Sequence, residues 1–337
     1  MIREAISAIV GGLDLTEDEA ALCMQELMSG EATPSQAAAL LVALRMKGET
    51  VDEITGMVRV MREKALHVDV GGNVLDVVGT GGGFDPFNIS TAASLVCAGA
   101  GVRVVKHGNR GFTSTSGAAD VLEVLGAKLE LTPEQMQKVV EQTGFGFLFA
   151  PSLHPAMRFV GPTRREIGIR TIFNSLGPLT NPAGARYQLI GVSTIEMADK
   201  VSQVLRRLGT GRALVVHSED GLDEVSLGAP TTVHEVTGND VRTYTLTPDD
   251  LGLPSIPLDE VKTGTRDENA ARMLALLDGA ENADRGYVLA NAGVALYAAE
   301  HTHDVKTGVE QARLAIDTGA AKRVLEAYVA ATNSFGG

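Results

Sequence analysis

The sequence predicts an α/β protein in which a small N-terminal helical domain precedes a larger α/β domain with a mostly parallel central sheet. Three features point there. Residues 1 to about 66 carry three helix starts of one kind, a Thr followed three positions later by Glu or Gln. From Asn73 onward, short β-branched runs ended by glycine alternate with helical periods, the pattern of strand-helix-strand units. The chain has 337 residues, room for about two domains, and is 44% hydrophobic against 21% charged, enough to bury a large core.

The three helix starts are Thr16/Glu19, Thr33/Gln36 and Thr50/Glu53. In each, the Thr hydroxyl can accept a backbone N–H while the Glu or Gln reaches back to the cap, and Pro34 suits a first helical position. The middle helix, 34–45, carries Ala37, Ala38, Ala39, Leu40, Leu41 and Leu44. It is apolar on more than one face, which makes it a candidate dimer surface or, equally, a helix packed on two sides within one subunit. Strands are predicted at 74–78, 102–105 and 213–217, the last preceded by a helix over 197–208. Residues 162–186 hold Pro162, Pro178 and Pro182 around a helical middle, a return of the chain to the helical domain. The expected division is 1–68 joined by about 163–187, against 73–162 with 188–337. Toward the C-terminus a helix over 269–277, an apolar run over 287–298 and an amphipathic stretch over 307–330 follow one another. There is no internal repeat.

Lys and Arg number 29 against 42 Asp and Glu, a net charge of −13, which disfavours nonspecific binding to nucleic acid or anionic membranes. Cys23 and Cys97 sit in apolar surroundings without ligand spacing and read as buried thiols rather than a disulfide or zinc site. The start, Met1-Ile2-Arg3-Glu4-Ala5, lacks the features of a secretory signal, and the weakly polar stretch 92–102 is too short to span a bilayer. A cytoplasmic protein is expected. Glycine is frequent, at 38 residues, and suits loops whose backbone closely approaches a ligand.

Four constellations carry chemistry. The first is Asp76-Val77-Val78-Gly79-Thr80-Gly81-Gly82-Gly83, a strand running into glycines, followed by Asn88-Ile89-Ser90-Thr91 at a helix start. Glycines let backbone N–H groups turn to an anion and the helix N-terminus adds partial positive charge, although a tight turn with ordinary Ser90 and Thr91 caps is the bland reading. Neither the dinucleotide fingerprint nor a Walker loop fits. The second, Lys106-His107-Gly108-Asn109-Arg110, ends the next strand about one strand-helix-strand unit later, so both loops should open at one edge of the sheet. The third, 158–170, sets Arg158, Arg164, Arg165 and Arg170 against Glu166 alone; a fork of arginine suits a carboxylate or phosphate, and a solvated helix face is the alternative. The fourth is Asp220-Gly221-Leu222-Asp223-Glu224 after a strand, whose adjacent carboxylates suit Mg²⁺ if they are not simply solvated. No nucleophile elbow, zinc helix or thiol pair accompanies them, so positioning and electrostatics on a phosphorylated substrate are expected rather than covalent catalysis.

With these in order, the chain resembles the anthranilate phosphoribosyltransferases of tryptophan biosynthesis, over essentially its whole length. The resemblance rests on Gly79–Gly82, Phe87–Thr91, Lys106–Arg110, 161–174, 176–182 and 221–224, of which 161–182 is the most specific. It implies the nucleoside phosphorylase/phosphoribosyltransferase-like fold, a homodimer through the helices, and transfer of phosphoribose from 5-phosphoribosyl 1-pyrophosphate to the amino group of anthranilate. It also implies site roles. Gly79, Thr80, Gly81, Gly82, Asn88, Ser90, Thr91, Lys106, His107, Gly108 and Asn109 would bind phosphoribosyl pyrophosphate. Gly79, His107, Asn109, His154, Arg164 and Gly177 would bind anthranilate. Ser90, Asp223 and Glu224 would engage Mg²⁺, and Lys106, Asn109 and Arg164 would catalyse by positioning and electrostatics.

The chain departs from that pattern at Gly83, where the family loop usually has Asp, with Asp85 following; at Ala118, where a Ser is frequent; and at Thr115, where a basic residue is common. Gly83 removes a carboxylate near the pyrophosphate and should alter Mg²⁺ handling. The rival readings are a pyrimidine nucleoside phosphorylase, which would use free phosphate, and a non-catalytic nucleic-acid-binding paralogue, against which the acidic balance and the Asp223-Glu224 pair speak.

Overall fold

The computed structural model describes residues 1–111 and 116–335; the departure at Thr115 lies outside them. Four helices open the chain: α1 (Ile2–Val10), α2 (Glu17–Ser29), α3 (Pro34–Lys47) and α4 (Val51–Lys64). Thr16, Thr33 and Thr50 each form a reciprocal capping box with Glu19, Gln36 and Glu53. Ala37, Leu40, Leu41 and Leu44 of α3 are buried within the chain, while Met46 is 83% exposed.

The remainder runs β1 (Leu75–Gly79), α5 (Ile89–Gly99), β2 (Val104–Gly108), α6 (Ala118–Val124), α7 (Pro133–Thr143), β3 (Phe145–Phe149), α8 (Ala150–Leu153), α9 (Gly161–Ile167), α10 (Ile172–Leu176) and β4 (Tyr187–Gly191). It continues with α11 (Ile195–Arg207), β5 (Arg212–Ser218), β6 (Thr231–Thr237), β7 (Asp240–Leu246), α12 (Pro248–Leu251), α13 (Arg266–Leu277), α14 (Ala283–Ala298), α15 (Val305–Asp317) and α16 (Ala320–Asn333). The seven strands form one sheet in the order β3-β2-β1-β4-β5-β6-β7. β1 to β5 are parallel, and β6 and β7 join antiparallel at one edge. The parallel strands are buried on both faces, which is why they read as apolar runs.

Three of these strands match the sequence reading, with β2 displaced toward Gly108. Four do not appear in it: β3 is aromatic and follows α7 after a single glycine, β4 mixes Tyr and Gln with apolar residues, and β6 and β7 form a polar edge hairpin. The stretch 307–330 is two helices rather than one, because Gly319 adopts a left-handed φ of 69° between α15 and α16.

One apolar cluster lies between the sheet and helices that include α5, α14 and α16. A second joins the N-terminal helices to Ile172, Phe173, Leu176 and Leu179 and also to α11 and the sheet residues Ile190, Ala213, Val215 and Val236. The helical part therefore shares its core with segment 172–179 and with one face of the sheet. Both cysteines are free and buried. Among the described residues no helix is long and apolar enough to cross a membrane.

β1 pairs with β4 along its whole length, from Leu75↔Tyr187 to Gly79↔Gly191, but with β2 only at Leu75↔Val104. Past that point β1 and β2 splay, and side chains bridge the gap. Asp76 Oδ1 accepts the His107 N–H at 3.1 Å, and the Lys106 ammonium donates to the Val77 carbonyl.

Candidate active site

From β1 the chain moves through β2 to β3, then returns to β4 on the other side of β1, so the strand order reverses between β1 and β4. In open sheets of this kind the loops leaving the carboxyl ends on either side of the reversal diverge and leave a crevice. A cavity of about 580 Å³ opens there. It is lined by Gly79, Thr80, Gly81, Gly82, Asn88, Ser90, Thr91, Lys106, His107, Gly108, Asn109, Asp223 and Glu224, so the first, second and fourth constellations meet on one wall. His154, Arg164 and Gly177 are not among its lining residues: His154 and Gly177 meet it through His107, and Arg164 packs on Phe173, next in sequence to the lining residue Asn174. The Gly177 carbonyl lies 3.1 Å from His107 Nδ1, the His154 ring is 5.1 Å from that of His107, and the Arg164 guanidinium sits 4.9 Å over the Phe173 ring.

The glycine loop is held tightly. Thr80 N–H donates to the Gly191 carbonyl at 2.9 Å and Gly81 N–H to Asp223 Oδ2 at 2.6 Å, so two of the donors expected to face an anion have partners inside the protein. Gly81 and Gly82 adopt φ of 63° and 98°, a region glycine tolerates best. Gly79 and Gly191 are needed for space: a Cβ on Gly79 would stand 2.7 Å from Asp223 Oδ2, and one on Gly191 would overlap the Asp223 carbonyl. The acidic loop thus lies directly on the ends of β1 and β4. Gly83 is also packed closely, since a Cβ there would overlap the Gly221 carbonyl.

At the start of α5, Asn88 occupies the cap position without a capping side-chain bond. Its amide instead donates to the Ser116 carbonyl at 3.0 Å and accepts from Asn269 Nδ2 at 2.9 Å, tying the helix start to the turn before α6 and to α13. Ser90 and Thr91 are therefore first-turn residues and not caps. Ser90 Oγ accepts from Lys106 Nζ at 3.1 Å, while the buried Thr91 hydroxyl has no partner among the described residues. Glu224 lies close to the Ser90 N–H and hydroxyl, which favour its charge. Burial and Asp223 beside it win, and push its carboxyl up to about 8.

Lys106 is 2% exposed. Burial lowers its pKa, while Asp76 and Glu224 on either side support the ammonium. Asp76, fully buried, rises to about 6 by desolvation, opposed by Lys106, by Asn181 Nδ2 at 2.8 Å and by the His107 N–H. Such a pair is costly to separate, because removing one partner leaves a buried charge uncompensated.

His107 and His154 are neutral in the folded protein: burial brings His107 down to about 3, with His154 adding to the effect, and His154 to about 4. Unfolded imidazoles take up protons near pH 6.5. The stability contributed by both rings is thus complete above that pH and is lost as pH falls toward the folded values. Thermal midpoints measured from pH 7 to 4.5 should fall less steeply for His107→Gln/His154→Gln than for the parent; parallel curves would count against this assignment.

The acidic loop has its own buried scaffold, which the sequence reading missed. Asn291 of α14 accepts the Val225 N–H and donates to the Val225 carbonyl, each at 2.9 Å, clamping the residue after Glu224. The Ser218 hydroxyl donates to the Glu224 carbonyl at 2.8 Å, and Ser226 Oγ donates to Asp220 at 2.6 Å. A lone Asn within the apolar run 287–298 was the available signal. Arg170 and Asn174 also line the cavity. Arg170 Nη2 donates to the Thr80 carbonyl at 3.0 Å.

Asp223, Glu224 and Ser90 present oxygen donors only, as a hard cation requires, and a cation would relieve the burial that raises both carboxyls and the further push of Asp223 on Glu224. The described residues contain no group of three or more potential acidic, His or Cys ligands, so an ion here would draw its other ligands from water or a phosphate.

The helical bundle domain of a glycosyl transferase family matches residues 3–65, and the a/b domain of that family matches residues 71–322. The chain is 51% identical over 332 residues to the anthranilate phosphoribosyltransferase of Chloroflexus aurantiacus, covering 98% of each. It is 50% identical over 327 residues to that of Symbiobacterium thermophilum, covering 96% of each. Among solved structures it is similar to anthranilate phosphoribosyltransferase from Thermus thermophilus, with a TM-score of 0.91 and 46% identity over 97% of this chain and 99% of that one. It is also similar to the Saccharomyces cerevisiae enzyme in complex with PRPP and Mg, with a TM-score of 0.91 and 27% identity over 99% of this chain and 98% of that one.

Proposed function

Because the chain belongs to the anthranilate phosphoribosyltransferase family, and so transfers phosphoribose from 5-phosphoribosyl 1-pyrophosphate to the amino group of anthranilate, the second step from chorismate toward tryptophan, we propose how the residues of its crevice divide that work. The observation that carries the division is the meeting, at one sheet edge, of the glycine loop, the α5 N-terminus, buried Lys106 and the Asp223-Glu224 pair.

Gly79–Gly82 and the first turn of α5, with Asn88, Ser90 and Thr91, receive the pyrophosphate and ribose phosphate. The dipole of α5 favours anions at that turn, where the Ile89 N–H is given to the Phe87 carbonyl and the Ser90 N–H faces Glu224. Lys106 sets a fixed positive charge beneath the donor, held still by Val77 and Ser90, so it needs no reorganisation when charge develops on the departing pyrophosphate. Asn109 and Gly108, at the end of β2, line the path between donor and acceptor. Asp223, Glu224 and Ser90 would hold Mg²⁺, which would supply charge neutralisation on the pyrophosphate.

Arg164 takes the anthranilate carboxylate, and His107, His154 and Gly177 form the neutral flank for its ring. Neutral imidazoles suit that flank. The aromatic amine is unprotonated at pH 7 and needs no strong base to become a nucleophile, so placing it in line with C1 is the main requirement. A homodimer through the helical part fits the exposure of Val10, Leu13 and Met46, and a cytoplasmic setting fits two unpaired thiols.

The test follows anthranilate fluorescence with purified protein, phosphoribosyl pyrophosphate and Mg²⁺. We expect decay that requires all three; a wide Mg²⁺ range without decay would overturn the reading. Gly83→Asp must displace the glycine loop from the Gly221 carbonyl. It should raise the KM for phosphoribosyl pyrophosphate by about 3- to 10-fold, as for about 1 kcal/mol of strain, and change the Mg²⁺ profile. An unchanged profile would show that the loop absorbs the side chain freely.

A further inference from the structure

The described crevice wall carries three permanent or near-permanent cations, and their surroundings differ. Lys106 is buried beneath the wall and bonded to Val77 and Ser90. Arg110 is turned to Glu123 and Asp120 of α6. Arg170 is half-buried, has no carboxylate within ion-pair distance among the described residues, and gives its hydrogen bond to the neutral Thr80 carbonyl. Its guanidinium rests on the glycine loop so closely that a Cβ on Gly82 would overlap it. Meanwhile the Thr80 and Gly81 N–H groups are already engaged by Gly191 and Asp223. A polyanion reaching this loop therefore meets fewer backbone donors than the glycine run suggests and, among the described residues, one half-buried wall cation that no carboxylate holds.

We propose that Arg170 binds the pyrophosphate group of phosphoribosyl pyrophosphate directly, exchanging the Thr80 carbonyl for phosphate oxygens. The inference rests on the donor substrate assigned above. A planar guanidinium can fork two phosphate oxygens, which a carbonyl cannot exploit. Burial opposes the charge of Arg170 and Arg45 repels it, with Asp223 as the opposing support, so an incoming anion supplies stabilisation the free protein lacks. Arg170 stands between α9 and α10, and α10 shares its core with the N-terminal helices. Its contact with pyrophosphate would therefore tie the helical side to the sheet over the donor, bringing Arg164 of α9 with it.

Calorimetry with inorganic pyrophosphate and Mg²⁺ tests this on the parent, Arg170→Gln and Arg170→Lys, alongside KM values for both substrates and a thermal melt. Arg170→Gln should weaken pyrophosphate binding by about 10- to 100-fold and raise the KM for phosphoribosyl pyrophosphate comparably, with a much smaller change in the anthranilate KM. Arg170→Lys should recover part of the loss, because charge remains while the fork is gone. If the Gln variant does not fold, a loss of pyrophosphate affinity of about threefold or more in folded Arg170→Lys is the expected result. Unchanged pyrophosphate affinity in the folded variants overturns the proposal. A parent that binds pyrophosphate through Arg170 yet leaves anthranilate unconsumed would support this role while overturning the acceptor assignment; a parent with no affinity for pyrophosphate overturns the role of Arg170, whatever the fluorescence assay shows of the acceptor.

Discussion

Replacing Asp223 with Asn and Glu224 with Gln together should lower kcat by about 10³-fold or more, with the anthranilate KM changing only a few-fold. Both side chains are buried at the mouth of the crevice, and both carboxyls are raised above their ordinary range, Asp223 by burial and Glu224 by burial and Asp223. The amides keep shape and keep an oxygen for the Gly81 N–H, which bonds Asp223 Oδ2 at 2.6 Å. They remove the charge that would hold Mg²⁺ against the departing pyrophosphate. Saturating both substrates across a Mg²⁺ titration separates turnover from binding. A loss of less than about tenfold in kcat would remove these residues from the metal role.

Arg164→Ala should raise the anthranilate KM by about 30- to 100-fold and leave kcat at saturating anthranilate within a few-fold. Burial brings the Arg164 guanidinium down to about 10, and its face is covered by Phe173 at 4.9 Å. A planar carboxylate can take two parallel hydrogen bonds from such a guanidinium. Arg164→Lys should restore only part of the affinity, since a point charge lacks the fork. Steady-state kinetics in both substrates decide the matter: small and equal effects of this change and of the Asp223/Glu224 change would sink both roles.

The parts of the fold visible in the sequence are those fixed by neighbours along the chain. Thr16, Thr33 and Thr50 announce their helices because both halves of each capping box lie within four residues. β1 and β5 show as β-branched runs because parallel strands are buried on both faces. β3, with Phe and Gly, has no such signature and is made a strand by β2, a distant partner, whereas the hairpin β6–β7 pairs locally across Gly238-Asn239 and went unread because its residues are polar rather than an apolar run. The break at Gly319 is equally quiet, a single left-handed residue inside an amphipathic pattern.

The site divides the same way. The glycine loop, Lys106-His107 and Asp223-Glu224 stand out because each ends or follows a strand and concentrates unusual residues. That Gly81 N–H is taken by Asp223, that Arg170 lies on Gly82, and that Asn291 grips Val225 are contacts between distant segments. No local pattern specifies them. They decide which donors remain for a ligand, so the ligand class could be read from the sequence while the inventory of contacts could not.

The splay of β1 from β2 bears on how sequence relatives should be judged. Asp76 and Lys106 stand in for the missing ladder between these strands, so selection for folding alone is enough to retain them. A descendant that had abandoned catalysis would keep both, and their presence in a genome-derived sequence is therefore a poor marker of a working enzyme. Substitution there, conversely, should cost stability even when the substrate changes, which leaves adaptation to a new acceptor to proceed through positions without that architectural duty.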